Sequence, residues 1–556
     1  MHRFFLFVLI LLVSLQNVLN AETFWDMRKR AYERLKKDQK ESVSSPVRKK
    51  RGYQGVSYTS SKENFGIKKV KELSSPSQYR NPYNITIPVE FGDVTEILHN
   101  QGKPLIINIQ DYHCNYQAQK QIAYILEELI VHAGLKLIMV EGNSKDASLK
   151  HLRSMATRER RIEVAEDYLR RGMISGEEYL DIISEYDFKP LGVEDKELYM
   201  KNLDSFLEID TYRKDALAII DDFKVVIENL KPKVYSDNVY KIDRERQKCD
   251  TEQISFEEYS TYLLNLAKKH NVYLALTYDN IKRVLRVAEM GNEIDFDKVN
   301  RERDACIAQL GKKLSENELA RLLFKAAEFK NKRISANDFH GYLDQLPHGN
   351  WKREYPELVK YIEYLDLHAS IDVLDLFSEL DLIEDAIKNK LFKNDEEKML
   401  SKLARNVEIL YGFFALELIP RQYSYFKAMP DEFRIPEWRS FLARMVMKHK
   451  LSKNVPVDIS VVVNNMDRTD RFYQLAKQRD HVFLRKIKGY IQQEKAHVAA
   501  LITGGFHTSN LSTMLHDAGY SFMTVIPVVT EETDEELYHS VLKYKTELLK
   551  KAENQE

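Results

Sequence analysis

Two apolar runs, each breaking into an amphipathic helix through a histidine, lie nearly four hundred residues apart: Leu105-Ile-Ile-Asn-Ile-Gln-Asp-Tyr-His113 and Ala500-Leu-Ile-Thr-Gly-Gly-Phe-His507. Short apolar runs bounded by turns are strands buried on both faces, the kind found in parallel sheets. Open α/β sheets collect polar residues and bind ligands at the carboxyl edge of their strands. The pattern therefore predicts that distant segments pair in one sheet, and that His113 and His507 converge on one site.

The residues around these runs predict the rest of the sheet. Ile85-Thr-Ile-Pro-Val-Glu-Phe91 alternates like an edge strand. After the first run, Ala118, Ile122, Ile125 and Leu129 recur at helical spacing until Gly134 stops the helix. Leu137-Ile-Met-Val-Glu141 is a second strand, a polar helical stretch spans Arg158 to Tyr179, and Pro190-Leu-Gly-Val-Glu-Asp195 is a third strand ending in acids. Residues 201–455 change to long charged helical patterns, such as Tyr259 to Lys268 and Ile371 to Leu380. Residues 456–556 return to strand and helix: a helix carrying Phe483, Ile487 and Ile491, a strand Val498 to Thr503, a short helix with Leu511, Met514 and Leu515, a strand Met523 to Val529, and a terminal helix Glu531 to Lys551. The expected class is α/β, a mostly parallel sheet flanked by helices, split into an N-terminal half (84–200) and a C-terminal half (456–556) by a large all-helical insertion or cap.

The start of the chain is of a different kind. A basic Met1-His-Arg, an apolar run from Phe4 to Leu15, and Leu19-Asn-Ala21 have the layout of a signal peptide spanning residues 1–21, the run being short for a bilayer span of about 20 residues. An uncleaved anchor is the alternative. Export to a periplasmic, extracellular or envelope-associated location follows from this reading. Residues 22–83 form a basic linker rich in Ser and Pro, read first as a solvated tether, with association of its run Ser44-Ser-Pro-Val-Arg-Lys-Lys-Arg51 with an anionic envelope as the alternative. Lys and Arg (84) balance Asp and Glu (85), so no global field draws the chain to nucleic acid. Three cysteines, Cys114, Cys249 and Cys306, are too few for a disulfide framework.

Several of these residues suit chemistry. Asp111 stands two residues before His113, so along an extended strand it shares the histidine's face and orients it. Glu141 closes the second strand. Arg479, on the helix before the last strands, is placed to bind a substrate carboxylate or steady an oxyanion. Gly504 and Gly505 permit a tight turn and close backbone approach.

The series Gln110-Asp-Tyr-His-Cys-Asn-Tyr-Gln-Ala-Gln119, Val140-Glu-Gly142, Arg479-Asp480, Gly504-Gly-Phe-His507 and Gly519-Tyr520 resembles, in order, the superfamily that joins erythromycin esterases, ChaN-like haem-binding lipoproteins, and the TraB and Tiki proteins. The resemblance covers roughly residues 104–195 and 470–530. Family members usually carry Gly-Glu where this chain has Gln110-Asp111. The resemblance implies a hydrolase of ester, amide or peptide bonds acting on a small-molecule or peptide substrate. Its centre is His113, His507 and Glu141, serving either as ligands of zinc, manganese or iron with an open position for water, or as proton carriers without an obligatory metal. The alternative it implies is a ChaN-like protein that holds haem or iron through Tyr112, His113 or Tyr116 and catalyses nothing.

Overall fold

The computed structural model describes residues 65–70 and 76–544, apart from 252, 255, 273–278, 331–333, 347–350, 372, 531–533, 535, 536, 538 and 539. The signal-peptide reading and most of the linker reading lie outside these residues. The terminal helix is described at residue 537 and residues 540–544, which are helical. No helix among the described residues is long and apolar enough to cross a membrane. The described chain divides into two compact units: a sheet unit drawn from residues 65–211, 283–370 and 464–544, and a helical unit drawn from residues 212–282 and 371–463.

The sheet unit is built on six strands: β1 (Gly92–Leu98), β2 (Leu105–Asp111), β3 (Leu137–Val140), β4 (Lys189–Gly192), β5 (Val498–Gly504) and β6 (Ser521–Pro527). Their order is β1-β6-β2-β5-β3-β4, with β1 antiparallel to β6 and every other neighbouring pair parallel. The flanking helices are α1 (Tyr116–Ala133), α2 (Arg158–Arg170), α3 (Gly176–Ile183), α4 (Lys196–Val234), α5 (Ser460–Gln493) and α6 (Gly505–Asp517). Alternation along β2 sorts its side chains between two cores. Leu105, Ile107 and Ile109 pack with Ile122, Leu126 and Leu129 of α1, whereas Ile106 packs with Phe483, Ile487 and Ile491 of α5 and Leu511 and Leu515 of α6. Helices on both faces explain why the runs are largely apolar on both sides, Asn108, Gln110 and Thr503 being buried among them. Asn115 caps α1 by accepting the Ala118 N–H at 2.9 Å, and Gly134 ends it at φ 66°.

Residues 85–91, expected as an edge strand, do not form one. Pro88 has no N–H, and its carbonyl accepts the N–H groups of Phe91 (2.9 Å) and Gly92 (3.2 Å), which turns the chain before β1 begins. Ile85, Ile87 and Phe91 are nonetheless buried, so the alternation there reports burial without a ladder. The polar stretch expected as one helix from Arg158 is two, α2 and α3. Within the expected linker, Phe65 packs against Tyr124 at 4.6 Å, and the Gly66 N–H donates to Glu127 at 2.5 Å.

The long helical stretch is shared between the units. Residues 283–370 belong with the sheet and form their own core around Leu322, Phe339, Leu343, Leu358 and Ile362. The segment before β1 ties them in: Lys325 Nζ donates to the Ile85 carbonyl at 3.0 Å, and the Tyr83 ring fills the space at Gly341, where a Cβ would stand 2.6 Å from it. The helical unit has a separate interior. Trp438 meets Phe223 edge to face at 6.4 Å. Burial acts to raise the Glu384 carboxyl, but Lys388 and Arg246 outweigh it and hold Glu384 at about 2.

Gly192 closes β4 under the turn that follows β3. A Cβ there would stand 2.0 Å from the Asn143 carbonyl oxygen, too close to be relieved without moving backbone. Gly192→Ala is expected to destabilise the protein by about 3 kcal/mol. Urea unfolding checks this, with Gly489→Ala, a substitution into open space on α5, as the control that should be neutral or mildly stabilising.

Candidate functional site

Register brings three strand ends level. Asp111 of β2 pairs with Gly504 of β5, and Val140 of β3 pairs with Ile502. One residue on, the Glu141 N–H donates to the Ile502 carbonyl at 3.1 Å. The carboxyl edge of adjacent parallel strands thus carries Asp111, Gly504 and Glu141 together, where such sheets hold their ligands. Helix α5 adds two more groups. Phe483 and Ile487 fasten it to the sheet, and one turn earlier Arg479 and Asp480 face the same edge.

Arg479 organises the buried side of the site. Its Nη2 lies 2.9 Å from Glu141 Oε1 and also donates to Glu194 Oε1, its Nε reaches Glu194 Oε2 at 3.3 Å, and its Nη1 donates to Asn202 Oδ1 at 2.8 Å. The guanidinium also lies 5.4 Å from the Tyr199 ring centre and 5.5 Å from that of Phe483. The second oxygen of Glu141 accepts the Gly504 N–H at 2.7 Å. Burial pushes the Glu141 carboxyl up, but His507, Arg479, His113 and the Gly504 N–H outweigh it and hold it at about 2. Glu194, sharing the same guanidinium, is raised by its own burial. Burial and Glu141 raise Tyr199, which stays a neutral phenol.

The two histidines are held alike. His113 Nδ1 lies 2.6 Å from Asp111 Oδ2, and His507 Nδ1 lies 2.5 Å from Asp480 Oδ1. An aspartate on Nδ1 fixes the ring and leaves Nε2 as the working nitrogen. His507 Nε2 is 3.4 Å from Glu141 Oε1. A Cβ built on Gly504 would stand 3.6 Å from His113 Nε2 and 3.5 Å from Glu141 Oε2, so both groups flank the space above that glycine. Access differs sharply: the His113 side chain is 44% exposed, the His507 side chain 4%.

Each aspartate is itself anchored. Asn510 donates to Asp480 Oδ2 at 2.5 Å. Gln119 donates to Asp111 Oδ1 at 2.5 Å and to the Tyr112 carbonyl at 3.0 Å, while its own Oε1 accepts the Gly176 N–H at the start of α3 at 2.7 Å. Beside them Glu177 is buried, and its burial, with the charges of Glu178 and Asp111, pushes its carboxyl up to about 8.

His113, Asp111, Glu141, Arg479 and His507 therefore come together as the sequence led us to expect. Arg479 is engaged by two carboxylates and an amide. Asp195 stands apart: its Oδ1 accepts the Leu198 N–H and starts α4. Tyr112 is buried among Ala118 and Val529. The Tyr116 hydroxyl bonds to Glu166 and Arg170, with the Arg170 guanidinium 3.9 Å above its ring. Burial and Glu166 raise the Tyr116 phenol, which disfavours the phenolate an iron ligand needs. Cys114, at φ 59°, rests its sulfur against the Gly172 carbonyl at 3.9 Å. Sequence reasoning missed Gln119, Asn202 and Tyr199, and assigned Asp480 no role. Gln119 carried a signal, a polar residue beside Ala118 on the buried stripe of α1; Asn202 and Tyr199 carried none.

The donor set does not fit a divalent metal as arranged. One Glu141 oxygen meets the cationic Arg479 and the other a backbone N–H, and no group of three or more His, Cys, Asp or Glu among the described residues is disposed to hold an ion. Comparison of the chain with protein-family models, with curated proteins and with solved structures finds no match.

Because Glu141 titrates near 2 in the folded chain against an ordinary 4.5, its ionised form contributes stability above about pH 4.5 that is lost as pH falls through about 2. The contribution is on the order of 3 kcal/mol at neutral pH. The stability gap between the protein and Glu141→Gln is expected to shrink by more than half between about pH 7 and about pH 3. Denaturant titrations at the two pH values check this; a gap independent of pH would contradict it.

Proposed function

We propose that the sheet unit is a hydrolase of ester, amide or peptide bonds that works by acid–base catalysis, with His113 as general base. The observation that carries this reading is the space above Gly504, flanked by His113 Nε2 and Glu141 Oε2 at the carboxyl edge of parallel strands. A water held there donates one hydrogen to each. Asp111 keeps the His113 proton on Nδ1, so Nε2 takes the proton as the water attacks a carbonyl carbon, and the resulting imidazolium is stabilised by the same aspartate. The same imidazolium then returns the proton to the leaving group. The developing oxyanion is met by the first-turn N–H groups of α6, whose N-cap, Gly504, carries no side chain to occupy them. His507 is too enclosed to serve as the base. Held by Asp480, it supports Glu141 from behind and, together with Arg479, keeps Glu141 ionised.

This scheme fits the hydrolytic members of the superfamily the sequence resembles, and it routes no step through a metal. Residues 1–21 are read as the signal that exports the enzyme.

Gly504 has φ −62° and ψ 154°, a conformation open to any residue, and an added methyl would meet its neighbours at ordinary contact distance. Gly504→Ala is therefore expected to fold normally while displacing the water, lowering kcat/KM by about 100-fold or more. His113→Ala should lose about as much, and turnover should survive a chelator. A panel of model esters and peptides assayed with these variants tests the reading. Full activity in either variant, or activity abolished by the chelator and restored by zinc, would overturn it.

A further inference from the structure

One buried side chain, Gln119, ties the Asp111 and His113 pair to α1 and α3. Gln119 lies on the buried face of α1, 2% exposed, and its carboxamide makes three contacts at once: Asp111 Oδ1, the Tyr112 carbonyl and the Gly176 N–H. The Gly176 N–H is an end group of α3, one of the helix-terminal donors left without an intrahelical partner. Because a carboxamide has one accepting and one donating end, binding that N–H through Oε1 obliges Nε2 to face Asp111. Asp111 Oδ1 is then occupied, and Oδ2 is the oxygen left to meet His113 Nδ1, at 2.6 Å.

The local fold favours this bridge. Gly176 allows α3 to approach closely: a Cβ there would stand 2.3 Å from the Gln119 carbonyl oxygen. Ser175 starts the helix, its N–H donating to Glu178 at 2.9 Å and its hydroxyl to Glu177 at 2.5 Å. The surroundings are acidic, with Glu177 and Glu178 on α3 and Asp111 on β2. An uncharged bridge suits them, where a further carboxylate would repel Asp111.

We infer that Gln119 is a positioning residue for the proposed base: by tying Asp111 to the start of α3, it sets the aspartate's orientation and so keeps the His113 proton on Nδ1. The inference rests on the reading of His113 as general base. Its test reads the ring itself, so it succeeds or fails whether or not a substrate is turned over.

The experiment is long-range proton–nitrogen NMR of histidine-labelled full-length protein at alkaline pH, where the ring is neutral, with the His113 signal assigned by its loss in His113→Ala. Gln119→Met keeps length and apolar stem and removes all three polar contacts. The wild-type signal should report the Nδ1–H form, and Gln119→Met should raise the Nε2–H form by about tenfold. The control is Gln121→Met, on the same helix but bonded to the Glu90 carbonyl; it should leave the signal in place. If Gln119→Met does not fold, Gln119→Asn, too short to reach Asp111 and Gly176 together, takes its place with the same expectation. An unchanged His113 signal in the Gln119 variant, or an equal change in Gln121→Met, would overturn the inference. Absence of hydrolysis with the expected shift would leave it standing and remove only the hydrolase reading.

Discussion

A single buried guanidinium holds the candidate site together. Arg479 joins the end of β3 through Glu141, the turn after β4 through Glu194, and the first turns of α4 through Asn202, while α5 carries it across the sheet. Without it, two buried carboxylates would face each other at the end of β3 and β4, an arrangement that costs about 3–5 kcal/mol when one partner of a buried ion pair is removed. With His507, the same charge lets Glu141 remain ionised beside an apolar sheet. Stability and the proposed chemistry therefore draw on one interaction.

The two aspartate-bound histidines look equivalent in outline but differ in what surrounds them. His507 lies in the first turn of α6 against the Phe483 ring, 5.1 Å away, and its neighbours close over it. His113 follows β2 on a turn, and Cys114 beyond it adopts a left-handed conformation that leads into α1. One ring is built into packed structure and the other stands at its margin. On the proposed reading, that asymmetry makes His507 the supporting imidazole and His113 the reacting one.

The strands β2, β3 and β5 were legible because burial on both faces keeps most of their residues apolar, with only Asn108, Gln110 and Thr503 as buried polar exceptions, and helix α1 because Asn115 and Gly134 mark its ends. The edge strand was misplaced because Ile85 and Ile87 are buried by packing alone, and period-two burial is the same signal whether or not a ladder forms. Convergence of His113, Glu141 and His507 followed from where strands end, which sequence shows. Register does not show in sequence, so the space over Gly504 did not. Neither did the division of the helices, because a heptad-like face records that it is buried and is silent about its partner. Residues 283–370 join the sheet unit through Tyr83 against Gly341 and Lys325 on Ile85, contacts between segments hundreds of residues apart.

Strand order has a consequence for how the chain reaches this state. The neighbours of β2 are β5 and β6, which lie at residues 498–527. On the ribosome, at about 5–20 residues per second, β2 emerges roughly 20–80 s before either partner exists. For that interval a strand apolar on both faces has two open edges, the form most prone to pairing with another chain. The helices made meanwhile fold locally and quickly, but none of them can supply a ladder. Slower translation therefore lengthens the time for which the central strand of this sheet stays solitary.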